Sequence, residues 1–229
     1  MLDKLKGINS IFTVDCVIFG FDGQTLNVLL IERGEEPYEG AMAVPGDFGM
    51  HDEDLDAAAY RVLSELTGLR DLYMEQAGAF GGLHRHPWGR IITVSYYSLI
   101  NIEEYNITPA SFAKTAQWYP VKDKPPLAFD HDLIFEDAYN RLREKIQRYP
   151  IGFELLPRKF PLSTLQNLYE AILDIEMDKR NFRRKILKMN ILQELDEKQE
   201  GVAHRAATLY EFDPEKYERL KEKGNSFEI

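Results

Sequence analysis

The sequence predicts an α+β chain of two domains, and three observations carry that reading. Apolar runs in the first half read as strands gathered around one amphipathic helix. The last third follows the order helix, turn, strongly basic helix, hairpin. Between them stands Tyr149-Pro150-Ile151-Gly152, a natural linker that divides the 229 residues into 1–149 and 150–229.

Composition sets the outer bounds. Hydrophobic residues make up 44% and charged residues 29%, enough for ordinary cores in a soluble protein. No apolar run reaches the ~18–20 residues that cross a bilayer, and Met1-Leu2-Asp3-Lys4-Leu5-Lys6 lacks the apolar stretch of a signal peptide. The one cysteine, Cys16, has no partner for an internal disulfide, so a cytoplasmic location is expected by default. The net charge of −10 is unevenly spread. Residues 1–149 carry 14 Lys+Arg against 23 Asp+Glu, a net of −9, and residues 150–229 carry 14 against 15, a net of −1. Local clustering therefore decides what the second domain can bind.

The first elements are strands. Residues 11–19 form an apolar run, Asp22-Gly23 is a tight-turn signal, and residues 25–33 return, ending Leu30-Ile31-Glu32-Arg33. A polar loop expected to be mobile spans Gly34 to Gly40. Leu55, Ala58, Ala59, Val62, Leu63 and Leu66 then recur at helical spacing, which predicts an amphipathic helix over about 54–67. Strands are expected at 73–80, 91–100 and 116–121, with the longest of them central. The loop between the first two holds His84, His86 and Trp88. Two histidines at i, i+2 suit a metal only with further ligands, so a surface or cleft-lining role is the simpler reading. Trp88 fits either stacking on a ligand or plain packing. Asp130 is placed to cap a helix over about 131–147.

In the second domain, Ser163-x-x-Gln166 has the form of a capping box and opens an amphipathic helix through Leu165, Leu168, Tyr169, Ile172 and Leu173. Asp178 is a good N-cap for the next helix. Residues 178–190 hold six basic side chains and one acid. Arg180, Arg184 and Lys188 recur at i, i+4, i+8 with Arg183 alongside, while Phe182 and Ile186 point the other way. Most basic runs are solvated faces. This one lies where a winged helix-turn-helix carries its recognition helix, whose side chains meet phosphates and base edges. Asn181 is suited to adenine and Arg180 to guanine. Strands at 191–195 and 207–212 make the wing, with His204 and Arg205 near its tip, and 214–223 forms a closing helix.

The segment Asp47 to Leu69 resembles the Nudix box, with Glu53, Arg61, Leu63, Glu65, Gly68 and Leu69 in register. Its opening glycine is Asp47, and two acidic positions are Val62 and Leu66. The resemblance implies a Nudix-like α/β/α sandwich with a mixed sheet, and a helix surface at 62, 65 and 66 that holds magnesium in working hydrolases. Glu65 alone cannot hold a catalytic magnesium, which needs several oxygen ligands. Glu65 is also the i, i+4 partner of Arg61. No catalytic residue, metal site or cofactor is therefore expected, and the chain is read as not an enzyme. The rival reading is a Nudix pyrophosphohydrolase with substitute ligands.

With Leu165-Gln166-x-Leu168-Tyr169-Glu170 and the run Asp178 to Lys185, nearly the whole chain resembles the Nudix-related (NrtR-like) transcriptional regulators, most of all their L-arabinose-responsive branch. The resemblance implies a homodimer that binds palindromic double-stranded DNA and senses a small effector. It marks Glu32, Arg33, Asp47, Arg61, Glu65, Trp88, Asp130 and His131 as effector-binding candidates, and Ser163, Lys179, Arg180, Asn181, Arg183, Arg184, Lys188, His204 and Arg205 as DNA-binding candidates. A neutral pentose, probed as L-arabinose, suits an acidic cleft without a metal better than a diphosphate does. The alternative is the branch that responds to ADP-ribose and controls NAD metabolism.

Overall fold

The computed structural model describes residues 12–201, 206–224 and 226–229. The chain forms two compact units. One takes in the residues up to Gly20 and Asn27–Tyr139, and the other Phe21–Leu26 and Asn140–Ile229.

The first unit is built on a seven-stranded sheet. Strands β1 (Phe12–Phe21), β2 (Leu26–Arg33), β3 (Met42–Ala43), β4 (Gly46–Phe48), β5 (Glu75–Phe80), β6 (Ile92–Asn101) and β7 (Ala113–Pro120) follow the path β3-β2-β1-β6-β5. Off that path, β4 pairs with β1 and β7 with β2, both antiparallel. An isolated bridge joins Met42 to Leu127 in the parallel sense. Every residue of β1 after Phe12 is buried, so both faces are covered, and the strand is continuously apolar from Cys16 on, with Thr13 and Asp15 as its buried polar positions.

One cover is helix α1 (Leu55–Thr67), which presses Ala58, Ala59, Val62, Leu63 and Leu66 onto Val14, Cys16, Ile18, Leu29 and Ile31. Asp54 caps it by accepting from the Ala57 N–H at 2.8 Å, and Gly68 ends it in the left-handed region at φ 76°. The other cover is the start of helix α2 (His131–Arg148), whose Phe135 and Tyr139 meet Phe19 at ring distances of 5.8 Å. The α/β/α layering follows. The longest strand after β1, β6, is not central but second from the edge. The expected linker is also ordered: Pro150–Leu155 forms 3-10 helix directly after α2.

The Gly34–Gly40 loop is pinned rather than loose. The Arg33 Nε donates to the Pro37 carbonyl at 2.8 Å, and the Gly40 N–H to the Arg33 carbonyl at 2.8 Å.

The second unit holds β8 (Phe160–Pro161), α3 (Leu162–Leu173), α4 (Lys179–Lys188), β9 (Leu192–Lys198), β10 (Thr208–Phe212) and α5 (Pro214–Glu222), with the strands ordered β8-β10-β9. This is a winged helix. The short strand β8 was not foreseen, because two residues carry no periodicity. Nor does Ser163 cap α3. The helix starts at Leu162 with Pro161 at the N-cap, two residues before the expected cap, and the Gln166 amide donates instead to Glu170 at 2.9 Å and the Met177 carbonyl at 2.9 Å. Among the described residues, no helix is long and apolar enough to cross a membrane.

Candidate effector cleft and nucleic-acid interface

The box helix meets its loop through one arginine. Arg61 donates to Glu53 through Nε at 2.9 Å and Nη2 at 2.5 Å, to Glu65 through Nη1 at 3.0 Å, and to the Phe48 carbonyl through Nη2 at 2.9 Å. These bonds hold the Glu53 carboxyl down at about 2 and push the guanidinium up. Val62 and Leu66 lie inside the hydrophobic core at 0% and 1% exposure. The surface that the Nudix pattern would furnish with three carboxylates thus presents Glu65, and Arg61 already holds it. Among the described residues, no group of three His, Cys, Asp or Glu side chains is placed to hold a metal ion.

The cleft lies on the same unit, a cavity of about 50 Å³ between β1, β4 and the loops before β6 and α2. Asp15 reaches it from β1, Arg33 from the end of β2, Asp47 from β4, Arg85, His86 and Trp88 from the β5–β6 loop, and Phe129 and His131 from the start of α2. Phe129 and His86 stack at 5.0 Å and 15°, and Trp88 meets His86 edge-on at 5.3 Å. The Arg33 guanidinium lies over the Phe129 ring at 5.0 Å and the Phe112 ring at 5.3 Å. Arg85 grips Asp130 with two bonds of 2.9 and 2.7 Å. Burial pulls the pKa of His131 and of His86 below the ordinary histidine value and that of Arg33 below the ordinary arginine value, and it pushes the Asp47 carboxyl up.

Of the eight effector candidates, Arg33, Asp47, Trp88 and His131 line this cavity. Glu32 does not, because neighbouring strand residues face opposite ways and Arg33 takes the cleft side. Arg61 and Glu65 are engaged with each other beside the box. Asp130 acts behind the wall, as the anchor of Arg85. Two residues that the sequence reading passed over are Asp15 and Arg85. Asp15 had a signal, as the one charge in an otherwise uncharged strand; Arg85 had none, since loop residues have no period.

In the second unit, Asp178 caps α4 by accepting from the Asn181 N–H at 2.8 Å. Phe182 and Ile186 are buried, while Lys179, Arg180, Asn181, Arg183, Arg184, Lys185 and Lys188 are exposed, with Arg180, Arg184 and Lys188 in line at helical spacing. Arg184 donates to the Asn181 side-chain oxygen at 2.9 Å, which leaves the amide NH2 as that side chain's donor. Arg183 has another partner. Its Nη2 donates to the Tyr210 hydroxyl at 3.1 Å and so ties the helix to β10. Ser163 is exposed on α3. His204 and Arg205 lie outside the described residues. Carboxylates of the hairpin are paired from before α3, with Lys159 to Glu197 at 2.7 Å and Arg158 to Glu211 at 2.6 Å.

Comparison with known proteins agrees with this geometry. The NUDIX domain family matches residues 10–138, and the NrtR DNA-binding winged helix domain family matches residues 152–212. The ADPR responsive transcriptional repressor NtrR of Acinetobacter baylyi is 34% identical over 212 residues, covering 91% of this chain and 84% of its own. Shewanella oneidensis NrtR complexed with a 27mer DNA superposes with a TM-score of 0.70 at 30% identity, over 94% of this chain and 97% of that one. The NUDIX domain of the same protein complexed with ADP ribose superposes at 0.55 with 31% identity, over 62% of this chain and 97% of that domain.

Proposed function

Because the chain belongs to the NrtR family of DNA-binding transcriptional regulators with a Nudix domain, we propose that its cleft receives ADP-ribose and that this ligand controls its hold on operator DNA. The proposal includes a homodimer on a palindromic site, with α4 of each protomer in a major groove. Support for the effector comes from the ADP-ribose response of the Acinetobacter relative and the ADP-ribose complex of the Shewanella domain. The observation that carries the DNA reading is the exposed ridge of α4, capped, packed by Phe182 and Ile186, and free of acidic side chains along its length. A ligand shifts such an equilibrium only by the difference in its affinity for the two states.

A second reading, a neutral pentose as effector, is favoured by one specific observation. The 50 Å³ cavity is small, and Arg85 is already bound to Asp130. Two phosphates would meet Asp15 and Asp47 there, whereas hydroxyls would be welcome. Anisotropy titrations of a labelled duplex from the upstream region of its own gene, with ADP-ribose or L-arabinose added, separate the readings. ADP-ribose alone shifting the midpoint supports the first, and L-arabinose alone the second. No duplex retained at low ionic strength refutes the regulator reading. Turnover of ADP-ribose with magnesium at ordinary enzyme rates would support a hydrolase instead.

A further inference from the structure

The floor of the cleft holds two polar atoms that receive no hydrogen bond from the described residues. Asp15 Oδ2 and His131 Nδ1 are both buried, and neither has a hydrogen-bond partner among the described residues. Buried polar atoms are nearly always satisfied, because leaving one unmade costs about 1–3 kcal/mol. Two such atoms lining one cavity mark it as a place for a group of complementary hydrogen-bonding character.

Their chemistry is specified by their neighbours. The Arg85 guanidinium stands 3.6 Å from Asp15 Oδ2 but spends its short bonds on Asp130. His131 Nε2 lies 3.5 Å from Asp15 Oδ1. Burial favours the neutral imidazole, and the tautomer that suits this geometry carries its proton on Nε2, facing the carboxylate. Nδ1 is then a lone-pair acceptor. Both unused atoms are acceptors, so the ligand must bring donors. A phosphate brings only acceptor oxygens at neutral pH and would be repelled.

Room for the ligand is built in. A Cβ on Gly46 would overlap Asp15 Oδ1, so only a glycine at this point of β4 lets the carboxylate lie where it does. Space for a water-sized sphere takes ~10–15 Å³, so the cavity of about 50 Å³ holds roughly three to five waters. A small ring bearing hydroxyls displaces about that many waters. The Phe129–His86 stack supplies an aromatic wall, and Trp88, 63% exposed, stands at the mouth.

We propose that Asp15 Oδ2 and His131 Nδ1 accept hydrogen bonds from hydroxyls of a pentose ring seated at the base of the cleft. The ring has two sources, a free pentose or the terminal ribose of ADP-ribose, whose phosphates would then lie outside the floor. The inference rests on the receptor reading of the same cleft and adds the atoms that read the ligand.

Isothermal titration of the full chain with L-arabinose and with ADP-ribose distinguishes the sources. Whichever probe binds the wild type should bind Asp15→Asn at least tenfold more weakly. Deoxy analogues of that probe, each lacking one ring hydroxyl and titrated into the wild type, keep the test open if the variant does not fold. At least one should lose tenfold or more. Unchanged affinity across the deoxy series, or in a folded Asp15→Asn, overturns this inference and leaves the receptor reading standing. Binding of neither probe to the wild type overturns both.

Discussion

Replacing Arg61 with Met should cost the first unit about 2 kcal/mol at pH 7, and most of that cost should disappear in acid. The substitution removes the two bonds to Glu53, the bond to Glu65 and the bond to the Phe48 carbonyl. Glu53 falls from its ordinary 4.5 to about 2, chiefly through hydrogen bonding to Arg61. At about 1.4 kcal/mol per unit, that shift corresponds to ~3.4 kcal/mol, which solvent screening at the helix surface reduces to about 2. A depressed carboxyl pKa stabilises the fold fully above 4.5, and the stabilisation is lost as pH falls through 2. At pH 3 about two fifths of it should remain. Both tryptophans, Trp88 and Trp118, belong to the first unit, so urea unfolding followed by their emission reports on that unit. The gap between wild type and Arg61→Met should therefore be about 2 kcal/mol at pH 7 and well under half of that at pH 3. A gap of the same size at both pH values, or none at pH 7, refutes the assignment of Arg61 as the cation that organises the box.

Three further outcomes are expected. Arg180→Ala and Arg184→Ala should each weaken duplex binding while leaving effector affinity unchanged, and each lost phosphate contact should lower the slope of log K against log salt by about 0.9. Arg183→Met and Tyr210→Phe should both weaken DNA binding, about three- to tenfold, without that change in slope, because Arg183 holds the wing rather than a phosphate; a slope that falls with Arg183→Met would place it on the DNA. Burial lowers the pKa of His131, so below about 6.5 the unfolded chain takes up a proton that the folded chain refuses, and stability should fall with acidification. Urea unfolding at pH 7.5 and 5.5 should show a smaller loss for His131→Asn than for wild type.

Much of the architecture was legible in the sequence, for reasons visible residue by residue. The α1 helix and its glycine stop, the Asp178 cap and the Phe182/Ile186 face of α4 are local patterns whose period survives folding. Strands of two or three residues, β3, β4 and β8, carry no period and were missed. Ser163 misled because the capping-box spacing is present, but Gln166 finds better partners in Glu170 and Met177. The cleft was half legible. Arg33, Asp47, Trp88 and His131, four of the eight proposed effector residues, line the cavity, while Arg85 arrives from 45 residues away to bind Asp130, a meeting only the tertiary structure creates. The expectation of L-arabinose rested on resemblance and on the acidic cleft; the relatives' ADP-ribose ligands favour the alternative.

The burial of Val62 and Leu66 carries a consequence for how this cleft can change. Both side chains are now bricks in the layer between α1 and the sheet. Returning either to an acid would drive a carboxylate into an apolar layer, at a penalty on the order of several kcal/mol, before any cation arrived to compensate. Substitutions at the floor and mouth of the pocket meet no such barrier. At positions 62 and 66 an acid must first disrupt the layer that holds α1 to the sheet.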